Sequence, residues 1–224
     1  MNGSYKSRLL IWTGPLFAVV FVLADLLLVG DGKGEKSTGA EVVQYFAGRQ
    51  GRTMIETFAA PAVAALLILF VSEFRRRATA TGERRSAPAV MMAGAVVWAG
   101  SLVWGAAVDL ALASSAHHHQ AQVAQTMNVL SNADWIPLIA GVAIFLIGAG
   151  ATALGSGLLP KWLSWVALVG GVVSLAGPGG FIGFFLAPLW IIVVGIVLAT
   201  RSDAAESSTS SAAPVGEHRT PVPS

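Results

Sequence analysis

Long apolar runs constrain this chain more than any other feature. Residues 9–29 carry one charged side chain, Asp25, and further runs follow at about 53–74, 89–113, 132–153, 160–176 and 181–200. A bilayer offers no water to the backbone, so a spanning segment must satisfy its own N–H and C=O groups. An α-helix of about 20 residues does so across the hydrocarbon core. The pattern predicts an all-α fold, a polytopic transmembrane helical bundle with six spans. Composition agrees: 12% of the 224 residues are charged and 54% hydrophobic, with a mean hydropathy of +0.68. Soluble domains carry about 25% charged residues.

Basic residues orient the bundle. Arg75-Arg76-Arg77 and Arg84-Arg85 lie in the polar stretch between the second and third runs. Positive loops stay on the cytoplasmic side. Alternation from this loop puts ten of the fourteen basic residues inside, while Lys33, Lys36, Arg49 and Arg52 fall outside. Both termini are then cytoplasmic. The first run is too long for a signal-peptide core and reads as an uncleaved span. Residues 201–224 are rich in Ser, Ala and Pro and are expected to form a disordered cytoplasmic tail. The pI near 9.3 comes from these loops, so it is an orientation signal and points to no nucleic-acid partner.

Local signals mark the helix starts. Thr38-Gly39-Ala40-Glu41 has the form of a capping box. It predicts a short amphipathic helix through Val42, Val43, Tyr45 and Phe46, closed by Gly48, on the outer leaflet or the bundle top. Thr53-Met54-Ile55-Glu56 and Ser131-Asn132-Ala133-Asp134 repeat the pattern ahead of the second and fourth spans. Pro61 is expected to kink the second span. Gly94, Gly100 and Gly105 in the third span, Ala167-x-x-x-Gly171 in the fifth, and Gly183-x-x-x-Ala187 and Gly195-x-x-x-Ala199 in the sixth suit close helix contact. The same small-residue faces offer a route to self-association.

This topology brings acids to one depth. Asp25 and Asp109 fall near the outer ends of spans one and three, and Glu56 and Asp134 near the outer starts of spans two and four. Ionisable groups at such positions mark candidate sites. Capping and the helix dipole account for Glu56 and Asp134 on their own. At a helix C-terminus the dipole disfavours a carboxylate, so Asp25 and Asp109 need a counterpart: water, a bound cation, or Arg49 and Arg52. The outer-face cluster is therefore Asp25, Glu56, Asp109 and Asp134 with Arg49 and Arg52. His117-His118-His119 lies just beyond. Consecutive helical residues point about 100° apart, so these three cannot converge on one ion from a helix. Only in an extended loop do His117 and His119 share a face that suits a metal.

The chain has no cysteine, which removes disulfides, thiolate metal sites and Cys nucleophiles. No phosphate-binding Gly-rich loop or nucleophile elbow occurs, and no cofactor is indicated. The interior of every span lacks ionisable residues, which disfavours a charge-coupled pump.

Two segments carry a family likeness. Asp134-Trp135 opens an apolar run that leads to Gly157-Leu158-Leu159-Pro160-Lys161-Trp162-Leu163-Ser164-Trp165, with Leu168, Gly170 and Gly171 after it. Together with Glu41-Val42-Val43-Gln44-Tyr45-Phe46, Arg49 and Glu56, this resembles the DUF4386 group of bacterial multi-pass membrane proteins. Lys161 stands where that group usually has Arg. The resemblance implies a six-span bundle of the bacterial cytoplasmic membrane and implies no activity. The sequence thus favours a non-enzymatic integral membrane protein with a polar outer vestibule, in contact with the lipid bilayer, its small-molecule ligand unknown. Its rivals are a permease for a small solute and a membrane-embedded metal enzyme using His117 and His119.

Overall fold

Chain that must hide its backbone from lipid folds into helices, and eight of them account for most of the described residues. The computed structural model describes residues 3–27, 33–82, 86–176 and 179–211, with the side chains of residues 3–6, 8, 25–27 and 202–211 excepted. In order the helices are α1 (Gly3–Leu27), α2 (Gly39–Phe46), α3 (Gln50–Ala80), α4 (Ala87–His117), α5 (Ala121–Ser131), α6 (Trp135–Ser156), α7 (Lys161–Ser174) and α8 (Gly180–Ser211). No strand occurs among the described residues. Four stretches are long and apolar enough to cross a membrane: α3, α4, the α5–α6 run, and α8 as far as Arg201. Leu9–Ala24 of α1 and all of α7 are apolar but shorter. At 1.5 Å per residue α7 reaches about 21 Å against a hydrocarbon core of about 30 Å. The predicted tail begins inside the extension of α8 to Ser211, and residues 212–224 lie outside the described residues.

The pair α4–α6 forms the centre. Glycines let these backbones touch, as small residues do where lipid supplies no hydrophobic push. A Cβ on Gly141 would meet the backbone N of Trp98 at 2.5 Å, and Cβ atoms on Gly94 and Gly148 would strike the backbones of Phe145 and Met91. Gly100, expected in the same seam, instead faces open space. α3 flanks α4, α7 packs on α6, and α1 lies against α3 and α8. A chain of aromatic rings crosses the interior. Phe17 meets Trp98 edge-on at 5.1 Å, Trp98 meets Phe145 at 5.7 Å, and Phe145 meets Trp190 at 6.0 Å. Such edge and tilted pairs add about 0.5–1.5 kcal/mol beyond their buried area. Trp190 Nε1 also donates to Leu163 O at 2.9 Å. The outer surface is apolar as well. Phe58 is 78% exposed and Ile55 64%, as suits a surface solvated by lipid rather than water.

The two ends of the bundle differ in charge. At one end Glu73, 3% exposed, accepts from Arg76 Nη2 at 2.7 Å and from Arg77 Nε at 2.9 Å. Ser7 Oγ donates to Glu73 Oε1 at 2.6 Å and accepts from both guanidiniums. Arg77 also reaches Leu198 O. Glu73 thus forms an ion pair with two of the loop arginines and is itself buried. It ties α1, α3 and α8 together.

The opposite end carries α2 and α5 as a cap. Thr38 closes α2 with the full capping box, its N–H bonding Glu41 Oε2 at 2.7 Å and its hydroxyl accepting from Glu41 N. Val42, fully buried, packs with Leu112, Ala116 and Ala124, so α2 lies on the bundle top. Gly48 does not close it: the C-cap is Ala47 in a right-handed conformation. Asn128 and Asn132 donate to Gly34 O and Lys33 O, pinning the preceding loop to α5.

The other two capping patterns are not realised. α3 starts three residues ahead of Thr53, whose hydroxyl donates back to Arg49 O at 3.1 Å. α5 ends at Ser131, and Asp134 precedes α6 without a side-chain capping bond. In both cases the preceding residues continue in helix, so the Thr and Ser hydroxyls are spent elsewhere. Asp109 is likewise no helix terminus, because α4 runs two further turns to His117.

Candidate functional site

The two acids of the unrealised caps lie on a cavity wall instead. Glu56 on α3, Asp109 on α4 and Asp134 at the start of α6 line one cavity of about 460 Å³ at the capped end of the bundle. Five helices enclose it, with Phe21 from α1 and Phe181, Phe184 and Phe185 from α8 completing the wall. Small residues make the space. Ala59, Ala60, Gly105 and Ala106 line it where larger side chains would fill it. A Cβ on Gly105 would stand 2.9 Å from Asp134 Oδ2, so that carboxylate rests over the bare backbone one turn before Asp109.

Asp109 is held by a neutral group: Ser131 Oγ donates to its Oδ1 at 2.7 Å, and Asp134 lines the same cavity. Among the described residues no basic side chain pairs with Asp109 or Asp134. Arg49 stacks its guanidinium 3.9 Å from the centre of the Tyr45 ring, and Lys33 Nζ approaches the same ring at 5.1 Å. Arg52 is half-buried in the first turn of α3, one turn before Glu56 on the same helix. Asp25 belongs to the last turn of α1, but its side chain lies outside the described residues.

The aromatic wall was hidden from the sequence reading. Trp135 and Phe181 stack at 6.3 Å with 22° between their planes. Phe184 meets Phe21 at 5.3 Å and Phe185 at 5.2 Å. The i, i+3, i+4 spacing of Phe181, Phe184 and Phe185 was the available signal, since it puts all three on one helix face. Its partners on α1 and α6 are remote in sequence, so nothing local announced the wall. Ser101 is the deepest polar lining residue. It lies eight residues below Asp109 on α4, about 12 Å along the axis, and its hydroxyl donates to Val97 O. Below it Trp98, fully buried among Phe17, Phe21 and Phe145, closes the bundle.

The histidines stand apart from this cavity. His117 ends α4, His118 Nδ1 contacts Ser114 O at 2.8 Å, and His119 takes a positive φ of 57°. The segment is a helix end and a turn rather than the extended loop that would align His117 with His119. No group of three or more His, Asp or Glu side chains is placed to hold a metal ion among the described residues.

The chain matches no described protein family, no curated protein and no solved structure.

Proposed function

We propose that this is a non-enzymatic integral membrane protein whose cavity at the capped end is an outward-facing vestibule that binds a small solute. The observation that carries the reading is the cavity itself: about 460 Å³, enclosed by five helices, with aromatic walls and convergent carboxylates. Apolar pockets of about 300–1,000 Å³ with a few placed polar groups are the usual form of a small-molecule site. The vestibule is one-sided, because Trp98 closes it toward the arginine end. A permease would have to move that ring, which makes transport the second reading, favoured by the depth of the cavity down to Ser101.

The reading includes a topology. Six spans with both termini cytoplasmic, in a bacterial cytoplasmic membrane, put the Glu73–Arg76–Arg77 network inside and the cap of α2 and α5 outside. The positive-inside rule supports this orientation, and kinship with the DUF4386 group rests on residues about 132–172, with Glu41 to Phe46, Arg49 and Glu56. Because the natural chain has no cysteine, single cysteines report sidedness cleanly. Gly34→Cys and Gln120→Cys should react with an impermeant reagent added outside, and Thr81→Cys should not. Labelling of Thr81→Cys from outside would overturn the orientation.

Solute binding is tested in nanodiscs with a neutral fluorescent probe whose emission rises on dehydration. Saturable binding in wild type that disappears in Ala106→Trp, which fills the cavity, is the expected result. Equal binding by both proteins would remove the vestibule reading.

A further inference from the structure

The geometry points to a ligand class: we infer that the vestibule takes an amphiphilic organic cation, its positive charge at Asp109 and Asp134 and its apolar body against the aromatic wall. This inference rests on the vestibule reading above and goes beyond it by stating the chemistry of the occupant.

Three observations converge. First, Asp109 and Asp134 face one cavity and have no basic partner among the described residues. Removing carboxylates from water without a counter-charge is expensive, so a cation between them gains what no side chain supplies. Second, two basic residues of the capped end are engaged by an aromatic ring instead. Arg49 and Lys33 both address Tyr45 and neither aspartate. Third, the rest of the wall is aromatic. Phe21, Phe184 and the Trp135–Phe181 stack line it. The face of an aromatic ring attracts a cation, and recognition of quaternary ammonium groups uses this contact.

The same features exclude other occupants. A hard metal cation needs about six to eight oxygen ligands in exchange for its hydration shell, and no metal-holding group is assembled among the described residues. An anion meets two carboxylates. A neutral apolar solute would fit the walls but leave the acids uncompensated.

The test uses the full chain in nanodiscs and an isosteric pair, benzyltrimethylammonium and neopentylbenzene, each displacing the neutral probe, with empty discs correcting for lipid partition. The two molecules share shape and differ in charge. The ammonium should compete at a concentration about tenfold or more below its neutral counterpart, which is about 1.4 kcal/mol. The preference, read as the ratio of the two competing concentrations, should disappear in the double variant Asp109→Asn, Asp134→Asn. Equal competition by both compounds in wild type would overturn the cation inference and leave the vestibule standing. A preference that persists in the double variant would also overturn it. Failure of the probe itself to bind would remove the vestibule reading and this inference with it.

Discussion

Ser131 Oγ donates a 2.7 Å hydrogen bond to Asp109 Oδ1, joining the last residue of α5 to the wall of the cavity. The bond makes the cap and the vestibule one unit, since α5 also holds the loop before α2 through Asn128 and Asn132. Ser131→Ala should therefore loosen the cap. The expected loss of stability is about 1.5–3 kcal/mol, the usual scale for a hydrogen bond to a charged acceptor. Backbone amides of α5 should exchange faster by mass spectrometry while those of α7 stay unchanged. Asp109→Asn keeps an acceptor and should leave α5 exchange near wild type. Uniform exchange in Ser131→Ala would show that the bond does not hold the cap.

Two glycines on α4 and α6 should respond oppositely to the same change. A Cβ on Gly141 meets the Trp98 backbone at 2.5 Å, whereas one on Gly100 meets nothing within 4 Å. Gly141→Ala should force α4 and α6 apart and destabilise by about 1–3 kcal/mol. Gly100→Ala should be neutral or stabilising by about 0.5–1 kcal/mol, because alanine orders a helix at lower entropic cost. Thermal unfolding of the purified variants in detergent decides. Equal effects would mean that the α4–α6 seam is not closely packed.

Glu73 should be the most sensitive charged residue at the arginine end. It is almost fully buried and serves Ser7, Arg76 and Arg77 together. Glu73→Ala leaves guanidinium groups without their carboxylate and should cost about 1.5–3 kcal/mol, the scale of a hydrogen bond to a charged group. Ser7→Ala removes only the neutral bridge and should cost about 1 kcal/mol. If the two variants unfolded alike, the network would not be centred on the carboxylate.

The cap has its own pH dependence. The Thr38 backbone N–H, and then its hydroxyl, hold the Glu41 carboxyl below the usual carboxylate range. A lowered pKa in the folded state means that the contribution is complete above the unfolded value, about 4.3, and is lost as pH falls through the folded one. Protection of the Thr38 amide against hydrogen exchange should hold at neutral pH and fall in that acidic window. Glu41→Gln should flatten the profile. Unchanged protection in the acid range would contradict the capping assignment.

Sequence alone was informative where a signal is local. The Thr38–Glu41 box and the helical runs depend on residues within one or two turns of each other. The same local logic misread Thr53-x-x-Glu56 and Ser131-x-x-Asp134. A hydroxyl four residues into a helix bonds backward, as Thr53 does to Arg49 O, and one at a helix end can bond across, as Ser131 does to Asp109. Which option wins depends on where the preceding turn stops, and tertiary packing sets that. The small-residue pattern marked close contact but not its partner: nothing around Gly94 names Phe145. The aromatic wall was least legible, because its rings come from α1, α6 and α8.

A cation should reach the cavity between Asp109 and Ser101 from the capped side. Ser101→Cys places a single thiol on the cavity lining of a chain that otherwise has none. In nanodiscs, a trimethylammonium-bearing thiosulfonate should modify it faster than the sulfonate-bearing analogue, and benzyltrimethylammonium should slow the reaction. Equal rates with both reagents, or no protection by the ammonium, would contradict the account.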